Sequence, residues 1–188
     1  MKTIKTLLIL VLFLIIRRVN AQKNDPVYWT RTNNHVETQK ISPGMKTQLG
    51  TVVQTAAQLS NAFVTEDETG IRKLSRKIKD ELAAVIPTVY YGKDYTAWTY
   101  SKNWMEYQVN KLIAGDDTRG QLVAFASFNE SLFNSVKTFG VKDQVIFYHF
   151  CSRALNQKGA YWFSNTLEVK NPYLEEKKIS CVVTKMIL

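Results

Sequence analysis

The sequence predicts an α+β fold, with N-terminal helices followed by a mostly antiparallel β core. Two observations carry that prediction. From Met45 to Val85 apolar residues recur at steps of three and four, the period of a helix face. From Gly120 to the C-terminus short apolar runs alternate with turn-forming residues. Helices first and strands afterwards is the order of an α+β domain.

The 188-residue chain begins with a segment set apart from the fold. Lys2 and Lys5 precede the apolar run Thr6 to Ile16, and Val19–Asn20–Ala21 offers small residues for cleavage. That is the pattern of a secretory signal peptide over residues 1–21. The run is shorter than the roughly 20 residues a membrane-spanning helix needs. Arg17 and Arg18 follow it, which leaves an uncleaved anchor as the alternative. The expectation is a secreted protein with no stable membrane span after cleavage.

Residues 22–43 are polar and aperiodic and read as an extended arm. Residues 44–188 read as a single domain. Within it, Met45, Leu49, Val52, Val53, Ala56, Leu59 and Phe63 mark a first helix. Thr65 with Glu68 three residues on has the form of a capping box. Ile71, Leu74, Ile78, Leu82 and Val85 mark a second helix, stopped by Pro87. "TVYYG" reads as a short strand ending at Gly92. The aromatic-rich Asp94 to Gln108 is ambiguous. Gln121–Phe128 and Gln144–Cys151 read as strands, with a short helix after the first. "AYWFS" and the C-terminal "KISCVVTKMIL" complete the β series.

The formal charge of +9 falls to +5 without residues 1–21, which hold four cations and no acid. That bias favours anionic ligands but is not a nucleic-acid signature. The densest basic run, "RKLSRKIK", has helical spacing and reads as a solvated helix face. Cys151 and Cys181 lie in β-like runs. In an oxidising compartment they can form one disulfide; two buried free thiols are the alternative. Asn129 heads the sequon "NES".

Elimination narrows the chemistry. His35 and His149 lack partners at zinc-ligand spacing, so no metal site is expected. No nucleophile elbow, Walker loop or dinucleotide glycine motif is present. Neither cysteine sits where its pKa would fall. Tyr90, Tyr91, Tyr95, Trp98, Tyr100, Trp104 and Tyr107 crowd one span. They serve either packing or the stacking of a planar ligand.

An ordered series remains. "VYYG" (Val89 to Gly92) is similar to the "VYRG" strand of arginine-specific secreted and surface mono-ADP-ribosyltransferases. "FASFNESLFNSVKTFG" resembles that family's "FxSFTSTSL" strand and the helix after it. "QVIFYHFC" resembles a family strand of the form "TLFEIxxC", and "TLEVKNPYLEE" resembles "ExEVLIPPYExF". The resemblance spans Pro87 to Val183. It implies an ADP-ribosyltransferase-like fold, NAD as substrate, and transfer of ADP-ribose to a protein acceptor or hydrolysis of NAD.

By position, the resemblance makes Glu168 the carboxylate that stabilises the ribosyl cation. Thr166 falls where the family places its second glutamate. Tyr91 and Gly92 fall in the phosphate-binding landmark, and Ser127 and Ser131 supply bracing hydroxyls around Asn129. Two positions depart from the family. Tyr91 replaces the arginine that pairs with the diphosphate, and charge-assisted contacts are about twice as strong as neutral ones. Thr166 cannot act as a general base near neutral pH. Slow hydrolysis, another acceptor and no catalysis are all open. Two further hypotheses compete: a non-catalytic secreted basic binding module whose exposed aromatics engage a protein or glycan, and a membrane-active toxin-like protein.

Overall fold

A computed structural model describes residues 42–87, 92–115, 117–142, 144–173 and 181–187. The expected signal peptide, nearly all of the polar arm and the strand at "TVYY" lie outside the described residues.

Four long helices come first: α1 (Pro43–Val64), α2 (Glu68–Ala84), α3 (Gly92–Ala114) and α4 (Thr118–Phe139). A small sheet follows, with β1 (Ile146–Cys151), the short turn α5 (Ala154–Gln157), β2 (Ala160–Ser164) and β3 (Val182–Ile187). The α+β class holds, but the core is mainly helical and the sheet has only three strands, in the order β2-β1-β3. Both pairings are antiparallel, with Tyr148 opposite Phe163 on one side and Lys185 on the other.

Local signals explain the helix starts. Ser42 caps α1, its Oγ accepting from the Met45 N–H at 3.1 Å, and Pro43 follows where a missing donor costs nothing. Asp67 caps α2 by accepting from the Gly70 N–H at 2.9 Å. The expected capping box is therefore displaced: Thr65 terminates α1, and its hydroxyl donates back to the Asn61 carbonyl. Asp117 caps α4 through the Gly120 N–H, and Gly140 ends it at φ 75°.

The largest departure from expectation is α4. Gln121–Phe128, read as a strand, lies inside one continuous helix. The reason is visible over a longer window. Ala124, Phe125, Phe128, Leu132, Val136 and Phe139 are all buried, at steps of one, three and four. A short apolar run fits either period, whereas the whole segment fits only a helix. The ambiguous aromatic span is likewise helix α3, burying Trp98, Met105, Val109 and Leu112.

Consecutive helices pack side by side, and α1 and α4 also pack on β2. Leu49, Val52, Val53, Ala56 and Leu59 of α1 are wholly buried, as are Phe125 and Phe128 of α4. Tyr148, Trp162 and Phe163 supply the sheet's part of this core. Full burial of such side chains contributes about 1.5–3 kcal/mol each. The expected disulfide is present: Cys151 and Cys181 are bonded, tying the end of β1 to the start of β3.

Candidate functional site

The residues suggested by the resemblance fall into two groups. Glu168 and Thr166 occupy the loop after β2. The Thr166 N–H donates to Ser164 Oγ at 3.1 Å, and Ser164 Oγ donates to the Thr166 carbonyl at 2.8 Å, so the hydroxyls hold a local turn. The Glu168 side chain is 70% exposed and pairs with Lys170 at 3.4 Å. Ser127 and Ser131 are half-buried on α4, about one turn apart. Ser131 Oγ lies 3.5 Å from the Ser101 carbonyl, on the seam between α4 and α3. Among the described residues no hydrogen bond or ion pair joins these two groups. Gly92 opens α3, exposed and at φ 85°. Tyr91 lies outside the described residues.

Asn129 is fully buried, and its Nδ2 donates to the Phe125 carbonyl at 2.8 Å. The sequon asparagine thus faces the core and belongs to packing. The Tyr148 hydroxyl donates to the Asn129 carbonyl at 3.4 Å, and the Tyr173 hydroxyl donates to the Tyr161 carbonyl at 2.7 Å. Burial pushes both phenols well above the usual tyrosine range, so they remain neutral donors. His149 is buried on β1 with Trp162 at 5.3 Å between ring centroids, and its Nδ1 lies 2.8 Å from Thr184 Oγ1. Burial lowers its pKa, an effect partly opposed by the Thr166 backbone. This is the packed histidine expected from its strand context. Among the described residues no group of three His, Cys, Asp or Glu side chains is placed to hold a metal ion.

The other candidate is a surface. The aromatic span divides cleanly once it is wound into α3. Trp98 points inward, edge-on to Phe139 at 5.9 Å. Tyr100, Trp104 and Tyr107 point outward, with 73%, 44% and 52% of their surface exposed. Their spacing of four and three places them along one helix face. Trp104 and Tyr107 lie 5.7 Å apart, and Lys111 Nζ sits 4.7 Å above the Tyr107 ring. At the other end a shallow open hollow is lined by Gly92, Lys93, Thr96, Ala97 and Tyr100. Lys79 of α2 borders the ridge, donating to Asn110 Oδ1 at 2.9 Å. The sequence showed the aromatic crowding but not its division. The signal that separates the two faces is the helical period of Tyr100, Trp104, Tyr107 and Lys111 against Trp98, Met105, Val109 and Leu112.

Compared with known protein families, curated proteins and solved structures, the chain matches none.

Proposed function

We propose that this chain is a secreted, non-catalytic binding module that docks through the outer face of α3. The observation that carries the reading is the exposure of three aromatic side chains in one row. A large aromatic left in water forgoes the roughly 1.5–3 kcal/mol that full burial would contribute. Rows of Tyr and Trp are also the residue types that dominate binding hot spots. Against Trp98 of the same helix, which is 2% exposed, these three rings leave broad faces open to a partner.

A triple variant, Tyr100→Ser with Trp104→Ser and Tyr107→Ser, tests this division of labour. Its thermal midpoint should stay within a few degrees of the parent, as substitutions at exposed positions usually change stability by less than about 0.5 kcal/mol. A collapse in stability would show that the row holds the fold together and would remove the basis for a docking role.

The NAD reading has one specific support, the accessible Glu168 carboxylate beside Thr166. It is tested by nicotinamide release from NAD with a Glu168→Ala control. Release that depends on Glu168 would replace the binding-module reading with an NAD-cleaving one.

A further inference from the structure

The outer face of α3 has a composition that narrows its partner. From one end to the other it presents Lys93, Thr96, Ala97, Tyr100, Trp104, Tyr107 and Lys111, with Asn103 and Asn110 alongside. This face runs for about 27 Å at the helical rise. The row itself holds no carboxylate and has a lysine at either end, although Asp94 adjoins Lys93 in the first turn of α3. Glu106, the nearest acid on the same helix in its second half, lies on the flank and is 3.8 Å from Lys102. Lys79 adds a third cation at the margin.

We propose that this ridge lies on an anionic lipid surface, a proposal that rests on the binding-module reading above. Three physical arguments favour lipid over a protein partner. First, Trp and Tyr are the residues enriched at the membrane–water boundary, where the ring meets the acyl margin and the polar tip meets the headgroups. Second, lysine is depleted at protein–protein interfaces, whereas each lysine near an anionic bilayer strengthens attachment several-fold. Third, the row runs along the outer face of a single helix, and Lys93 and Lys111 fall on the same face as the rings by the helical period. A broad headgroup layer can meet all of them together. The row has no exposed Leu, Ile or Phe to drive deep insertion, and no described helix is long and apolar enough to cross a membrane. The contact is therefore interfacial, with the helix axis parallel to the bilayer plane.

Co-sedimentation with phosphatidylcholine vesicles, with and without phosphatidylglycerol, tests the proposal. The apolar run Thr6 to Ile16 would adhere to lipid by itself if retained, so the comparison is made between variants of the same full chain. The parent should partition about tenfold more strongly onto the phosphatidylglycerol vesicles, and raised salt should weaken it. The triple serine variant should lose about tenfold or more of that binding. Lys93→Gln with Lys111→Gln, which leaves the rings in place, should lose several-fold and flatten the salt dependence. Equal binding by the parent and both variants would overturn the proposal. If the parent ignores both vesicles but self-associates in sedimentation, and the triple variant does not, the occupant is a second copy. That result ends the lipid proposal and leaves the binding-module reading intact. If no variant differs from the parent in lipid binding or self-association, the lipid proposal also falls, and the module reading is then decided by the stability and NAD measurements above.

Discussion

The rings of Phe133 and Tyr148 lie face to face, with centroids 3.9 Å apart and planes 7° from parallel. Phe133 belongs to α4 and Tyr148 to the central strand β1, so the stack joins the helical layer to the sheet. Phe133→Ala should cost about 2–4 kcal/mol, below the range for a wholly buried phenylalanine because Phe133 is half-buried. Tyr148→Phe keeps the stack and loses only the hydroxyl donated to Asn129. Its cost should be about 0.5–1.5 kcal/mol. Urea unfolding of the two variants checks the order; a larger loss in Tyr148→Phe would mean that the hydroxyl, not the stack, secures this junction.

The disulfide closes a loop across a separation of 30 residues. In the chain-entropy account a loop of that size stabilises by about 3–4 kcal/mol. Cys151→Ala with Cys181→Ala should lower the denaturation midpoint accordingly. A change well under 1 kcal/mol would show that the unfolded chain is already compact around this loop.

His149 makes stability depend on pH. Burial holds its folded pKa below the usual value near 6.5. Between those two values the unfolded chain binds more protons than the folded one, so stability falls with falling pH. The loss begins near pH 6.5 and continues down to the folded pKa. Glu81 acts in the opposite sense at lower pH, since burial raises its carboxyl above the ordinary range. The difference between the parent and His149→Gln therefore isolates the histidine. Denaturation of both across pH 7.5 to 5 should show the steeper decline in the parent.

Leu155, Asn156 and Gln157 take up φ of 51°, 59° and 66°, a left-handed turn made without glycine. That conformation costs non-glycine residues roughly 1–2 kcal/mol each. Gln157→Gly should relieve part of it and raise stability by about 0.5–1 kcal/mol, read from the shift in thermal midpoint. Gly159 nearby tolerates no such trade in reverse. A methyl group there would sit 2.8 Å from the Phe150 ring, at a φ of 77°. Gly159→Ala should be clearly destabilising.

Asn129 predicts a further absence in the folded product. A glycan cannot occupy a fully buried position. Chain secreted in folded form from a glycosylating host should show no glycosidase-sensitive shift in mass at this sequon; a shift that leaves the fold intact would require α4 to be differently packed.

The first two helices were legible because their apolar residues persist over several turns and the second stops before Pro87; the cap between them was not, since Thr65 with Glu68 has the form of a capping box while Asp67 supplies the cap through the Gly70 N–H. β1, β2 and β3 were legible as dense β-branched and aromatic runs between turn residues. The failure at α4 has a definite cause. Val123, Ala124 and Phe125 are adjacent in sequence, and three apolar neighbours look like a buried strand when read alone. Only Val123 among them is exposed, at 48%, and that single outward residue marks the helix. The candidate site was half legible. The sequence displayed the tyrosines and tryptophans, but which of them face water depends on α2 and α4 flanking α3, and no local window contains that. The strand reading set Ser127 and Ser131 near a strand end, whereas both lie within α4, half-buried.

The position of β3 in the chain has a consequence for the route to the native state. α1 to α4 are joined by short connections, so their contacts are local and fast to form. β3 reaches β1 only after an excursion of about thirty residues, and closing that loop costs entropy before any pairing rewards it. Within the sheet the C-terminal strand therefore docks after the β1–β2 hairpin, and the Cys151–Cys181 bond acts as a latch on that step. Chain kept under reducing conditions should refold its helices at the ordinary rate and then hesitate, with the far edge of the sheet open to proteolysis until an oxidant is supplied.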